Sequence, residues 1–253
     1  MREALARILL RRHQSVYGTR PGTDTSAFRR WGFEHGDGWF GLIDALSAVL
    51  GMRAAERGLD ISVTQIKQKG RTLRWHSGGM DEFCRGATEF AGAMSCRLCE
   101  LSGRPGLPSV ASDGLRTLAP GEDPDAEIRP DAEPIERFIA ACGPLHAIAS
   151  VRTVWSMTYI DVPAGYADLV DVLMGFLTAD HVAVDYAPAF VANLEADRES
   201  GLIVGMADLD DRRRGGIAVA ASLARTCIDP ISGATGPVDD LGRPAWAVRQ
   251  ERV

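Results

Sequence analysis

Cys96-x-x-Cys99 is the first pair whose types and spacing could do chemistry, since two cysteines three apart have the spacing of zinc ligands. A tetrahedral structural zinc needs four ligands, and the other candidates in this chain are Cys84, His76 and Cys227. The competing reading is a pair of small buried thiols with no cofactor at all. A redox role is disfavoured because the motif ends a helix, where the dipole does not stabilise a thiolate. The second cluster is cationic: Lys67, Lys69, Arg71 and Arg74 put four positive charges on one short stretch. This is a candidate partner-binding surface for an anionic protein or nucleic acid. The alternative is a solvated hairpin tip whose charges discourage edge pairing, and no exposed aromatic run interleaves them as a single-strand binder would need. Asp44 and Asp171 recur at one helical position, but no neighbour in sequence equips them as catalytic carboxylates, so a polar-face or capping role is expected. The five histidines are isolated, and no nucleophile elbow or phosphate-binding glycine loop occurs. No catalytic residue is assigned.

The elements that must carry these residues lie between Gly38 and Gly106. Asp37 is a candidate N-cap for a helix whose Trp39, Leu42, Ile43, Leu46, Val49 and Leu50 repeat at helical spacing, with Gly58 as its C-cap. Ile61 and Val63 alternate with polar residues, and Thr72 to Trp75 resumes the alternation after Gly70. This predicts a hairpin turning near Lys69-Gly70, with Leu73 and Trp75 on the core side and Arg74 and His76 facing away. Asp81 to Met94 predicts a second helix, leading into the Cys96–Gly106 knuckle. Upstream, Ala4 to Arg12 has helical spacing, Tyr17 to Thr25 reads as loop, and Phe28, Trp31 and Phe33 should cover one end of the core.

The acidic, proline-rich stretch 120–134 reads as a solvated linker between a first unit, 1–119, and a second, 135–253. In the second unit a short helix is expected at Ile135–Cys142 and a strand at Val151–Ile160. Gly165 to Leu173 then repeats the opening of the first helix at an offset of 127 residues from Gly38. His181–Asp185 is expected to pair with Gly201–Met206, a helix to run from Ile217 to Arg225, and Cys227 to Gly236 to echo the knuckle. Helix, hairpin, helix and knuckle in the same order point to a tandem duplication whose second copy has diverged.

Trp31-Gly-Phe-Glu-His-Gly-Asp-Gly-Trp-Phe40, Gln65-Ile-Lys-Gln-Lys-Gly70 and Leu73-Arg74 together resemble a family of bacterial and prophage-encoded proteins of unknown function. Its members pair a GDGW opening before a helix with a lysine-rich hairpin, a second helix and a CxxCG-type knuckle. The resemblance covers roughly residues 1 to 106 and implies a fold and no activity. The chain departs from the pattern in two places: no second Cys/His pair follows in Gly114–Ala119, and the glycine after the second cysteine is displaced to Gly103.

The bulk numbers suit a globular protein: 253 residues, 45% hydrophobic and 25% charged, with a net charge of −6 that argues against a whole-surface nucleic-acid binder. Five cysteines at irregular spacing favour a reducing cytoplasm over a disulfide scaffold, and no apolar run suits a bilayer. The fold expected is α+β: two related helix–hairpin–helix units with small antiparallel sheets, packed together because neither buries enough surface alone. The function expected is a non-enzymatic protein-binding module, set by the resemblance in prophage, immunity or host-defence conflict. The alternatives are a nucleic-acid-associated accessory protein using the basic hairpin, and an enzyme with a site between the units. The expected cofactor is none, or one structural zinc at Cys96 and Cys99; oligomeric state is not set by these residues.

Overall fold

A computed structural model describes residues 1–18, 26–129, 159–178, 191–197, 199–207 and 209–246. In chain order these form α1 (Glu3–Arg12), α2 (Gln14–Tyr17), α3 (Ala27–Trp31), β1 (Phe33–Glu34), α4 (Phe40–Arg57), β2 (Ser62–Lys69), β3 (Thr72–Gly78) and α5 (Glu82–Ser95). There follow β4 (Leu107–Ala111), β5 (Gly114–Leu118), β6 (Glu127–Ile128), β7 (Tyr159–Asp161), α6 (Ala167–Thr178), β8 (Val191–Asp197), β9 (Gly201–Met206) and α7 (Asp211–Thr226). The protein is thus mixed α and β with small sheets, as the periodicities predict.

Local signals explain the long elements. Gly58 ends α4 in the left-handed region at φ +64°, which spares a side chain the clash there. Asp81 and Asp210 cap α5 and α7, accepting from the amides of Cys84 at 3.0 Å and Arg213 at 2.7 Å. Asp37 does not cap α4: it lies in a 3-10 turn (Asp37–Trp39), and its carboxylate accepts from the Arg2 amide at 2.7 Å. The β2–β3 hairpin turns on Gly70 and Arg71, both at positive φ (+56° and +66°), the two-residue loop that matches strand twist.

Each half builds a sheet of the same design. β1 pairs parallel with β2, and β2 antiparallel with β3; β7 pairs parallel with β8, and β8 antiparallel with β9. Both hairpins carry a register shift near the start of their first strand, at Val63/Gln65 and Val191/Asn193. The partner of β9 is therefore Val191–Asp197, in the stretch between the two segments expected to pair. The proposed partner His181–Asp185, the helix at Ile135–Cys142 and most of the strand at 151–160 lie outside the described residues. A third sheet, β5-β4-β6, follows the knuckle, and its β6 (Glu127–Ile128) falls within the stretch expected to be solvated linker.

One core of buried residues runs from Leu5 to Ile228 and includes both halves. The halves meet where α5 crosses α7. A Cβ on Gly86 would stand 1.9 Å from the Arg212 carbonyl oxygen, and one on Gly215 would stand 1.9 Å from the Phe83 carbonyl oxygen. Two backbones in such contact admit no side chain at either position. Phe90 of α5 meets Phe176 of α6 edge to face at 5.8 Å. Around the crossing, Arg53 binds Asp81 at 2.7 Å and Asp211 at 3.0 Å, and Arg212 binds Glu89 at 2.7 Å. Arg212 is thus neutralised by Glu82 and Glu89 of the first half.

Candidate functional site

The basic hairpin is held at its tip. The Arg71 amide donates to the Leu115 carbonyl at 3.0 Å, Gln68 Nε2 donates to the same carbonyl at 2.6 Å, and Thr117 Oγ1 donates to the Arg71 carbonyl at 3.2 Å. Strand β5 therefore clamps a turn expected to stand free in solvent. The four cations separate: Lys69 is exposed and Lys67 and Arg71 are half-buried, but Arg74 is only 9% exposed. Leu73 and Trp75 are buried as expected, whereas Arg74 is buried from the opposite face, a correction to its outward placement. Strand alternation sets which face a residue takes; whether that face is covered depends on distant chain.

Helix α5 closes the free edge of β3. The Leu73 amide donates to Ser95 Oγ at 2.8 Å, and Gly92 lets the helix approach the Leu73 carbonyl. This contact brings the hairpin tip to the knuckle. Cys96 and Cys99 are both buried, as free thiols. Burial pushes the Cys96 thiol up to about 11, against the pull of Arg71, Arg97 and Arg74. The knuckle is closed by backbone bonds, Cys99 N donating to Arg104 O at 2.7 Å and Gly103 N to Cys99 O at 2.9 Å.

Among the described residues the other ligand candidates are not placed to complete a zinc site with Cys96 and Cys99. Cys84 lies twelve residues before Cys96 along α5, a rise of about 18 Å. Cys227 donates its S–H to the Gly41 carbonyl at 3.2 Å, and His76 is exposed at the far end of β3. Among the described residues no group of three or more His, Cys, Asp or Glu is placed to hold a metal. The arginines beside Cys96 would also repel a divalent cation.

Three acidic residues near the site, Asp171, Asp44 and Glu100, hold partners that the sequence did not reveal. Arg97, inside the CxxC motif, donates to Asp171 at 2.6 Å, and Asp171 is 5% exposed. At the equivalent place in the first half, Asp44 receives Arg12 at 2.8 Å and His13 at 2.7 Å. The recurrence of Asp44 and Asp171 at one helical position was the available signal; the partners are distant in sequence. Glu100, 2% exposed, accepts from the Gly36 amide at 3.1 Å and faces Arg116 at 3.3 Å, while burial raises its carboxyl above the usual range.

A groove of about 560 Å³ opens in the first half. Its apolar walls include Ala6 and Leu10 of α1, Val16 of α2, Phe28 of α3, and Ile61 and Val63 at the start of β2. Ser15, Arg29, Asp60 and Ser62 supply its polar lining. Phe28 stacks on Tyr17 at 5.5 Å, but Trp31, expected in the same cluster, is 65% exposed.

The sequence matches no family model and no curated protein, and the fold matches no solved structure.

Proposed function

We propose that this protein is a protein-binding module built by tandem duplication of one α+β unit. The open apolar groove carries the binding reading: it offers a partner a recess for apolar side chains with polar groups to orient them. The duplication is supported by the repeated order of elements, the repeated parallel-then-antiparallel pairing and the reciprocal contacts of Gly86 and Gly215. A setting in bacterial or prophage conflict rests on the sequence resemblance alone.

The test begins with a partner isolated with the protein from its native source and then purified. Leu10, 39% exposed on the groove wall, is replaced by glutamate, which leaves the core untouched. Calorimetry should show affinity for the purified partner weakened by about tenfold or more, with thermal stability unchanged. Unchanged affinity in L10E would remove the groove as the binding surface.

A second reading, nucleic-acid association, is favoured by Lys67 and Lys69, which project from a hairpin clamped at its tip. Two phosphate contacts on duplex DNA would give a slope of log affinity against log salt of about −1.8. That is a small footprint for a chain of net charge −6, so the protein partner is preferred. Replacing both lysines by glutamine should abolish that slope if DNA is bound through them, and leave it untouched if not.

A further inference from the structure

We infer that the groove of the first half takes its partner as an extended peptide strand, added to an unpaired edge of β2. This rests on the groove reading above and names the form of its partner. β2 runs from Ser62 to Lys69, but β1 pairs with it only at Ile66 and Lys67. The chain joins the sheet only at Phe33, after α3 and Gly32, whose φ of +63° and ψ of −134° glycine permits. Beside the first residues of β2 no strand lies on the β1 side among the described residues. The groove occupies this place: Gly32 and Phe33 line it, and so do Asp60, Ile61, Ser62 and Val63. Side chains of a strand alternate between its faces, so a groove against one face would touch every second residue. Four consecutive residues mean that it meets the strand on edge, where the backbone is presented.

That edge has bonds to give. Ser62 pairs with Gly78 and Val63 with Ser77. Adjacent pairs of an antiparallel ladder alternate: one exchanges both backbone hydrogen bonds, and the next turns its N–H and C=O outward. One of these two residues therefore directs both groups to the β1 side, and no bond answers them among the described residues. The register shift between Val63 and Gln65 bends β2 just beyond, which keeps the open edge short. Proteins protect an edge by making it short, bent or charged. This one is short and bent, which limits the partner to a short segment, but its walls are apolar: Leu10, Val16 and Phe28 stand beside the backbone. Leu10 is 39% exposed, and Ser62 is the exposed side chain of the edge. An added strand satisfies both features, its main chain on β2 and every second side chain in the recess. A helical partner would fill the recess and leave the edge unanswered, because its backbone bonds are internal.

The test presents the full chain to a library of short random peptides displayed on phage, with Leu10→Glu as the counter-selection. An enriched peptide is then synthesised and its affinity measured by calorimetry. Its alanine scan should show losses at every second residue. Methylating single backbone nitrogens of the peptide should weaken binding by about tenfold at alternate positions and little between them. Hydrogen exchange should slow at one or more amides from Ile61 to Thr64 when the peptide is bound. The proposal is overturned if the losses follow the spacing of a helix face, if every methylated peptide binds as the unmodified one does, or if exchange at those amides is unchanged. In those cases a peptide that still loses affinity for Leu10→Glu leaves the groove reading standing. Peptides that bind Leu10→Glu as tightly as the parent protein remove the groove reading and this inference with it. A selection that enriches no peptide overturns strand addition, since edge pairing asks for little beyond alternating apolar residues.

Discussion

His35 shows how a single side chain can make stability depend on pH. It is 6% exposed, between Phe33 at 5.9 Å and Trp39 at 5.7 Å, and its Nδ1 donates to the Gly36 carbonyl at 2.8 Å. Its Nε2 is then the unprotonated nitrogen, buried and without a partner. Burial lowers its pKa from 6.5 to about 4. The unfolded chain therefore takes up a proton below pH 6.5 that the native state refuses until about pH 4, so stability falls with falling pH across that window. Between pH 7 and pH 5 the loss from this one group should be about 2 kcal/mol. Urea unfolding at both values should show it in the parent and not in His35→Asn; equal losses in both proteins would assign the pH dependence elsewhere.

At the scale of elements, the crossing of α5 and α7 decides how the halves fit. Glycine inside a helix reads from sequence as a weakness of about 1 kcal/mol relative to alanine. Here the sign reverses, because a methyl group at Gly86 or Gly215 would meet a backbone oxygen that cannot rotate away. Gly86→Ala and Gly215→Ala should each cost roughly 1–3 kcal/mol in urea unfolding. The double variant should cost less than the sum, since one separation of the helices relieves both clashes. Alanine tolerated at either position without loss would mean the helices stand further apart than described. The hairpin teaches the same lesson: its turn was legible from Gly70 and the alternating strands, but its clamp was not, since Leu115 is over forty residues away.

Among the described residues the larger of two buried clusters spans both halves, and the smaller joins Cys99 to Ala111, Leu118 and Ala119 at the third sheet. Leu42 and Leu46 of α4, Phe90 of α5, Leu173 of α6 and Leu223 of α7 belong to a single buried cluster that neither half closes alone. Urea unfolding followed by tryptophan fluorescence should therefore coincide with unfolding followed by circular dichroism. Two separated transitions would show that the halves are independently stable. No helix among the described residues is long and apolar enough to cross a membrane.

The sequence by itself determined the elements whose signals are local. The stripes of α4 and α6, the cap at Gly58, the β2–β3 alternation and the echo of Gly38 at Gly165 all depend on neighbours within a few turns of chain. Such signals follow from backbone geometry, which repeats every 3.6 or two residues. Only the tertiary structure decided that β9 pairs with Val191–Asp197, that Arg74 is buried while Lys69 is not, and that Asp37 binds Arg2 instead of capping α4. It also decided that Arg97 answers Asp171, and that the residues near Cys96 are cationic where a zinc site would need further ligands. Those outcomes depend on which distant surface covers a given face, and no periodicity along the chain encodes what lies across a contact between segments separated by a hundred residues.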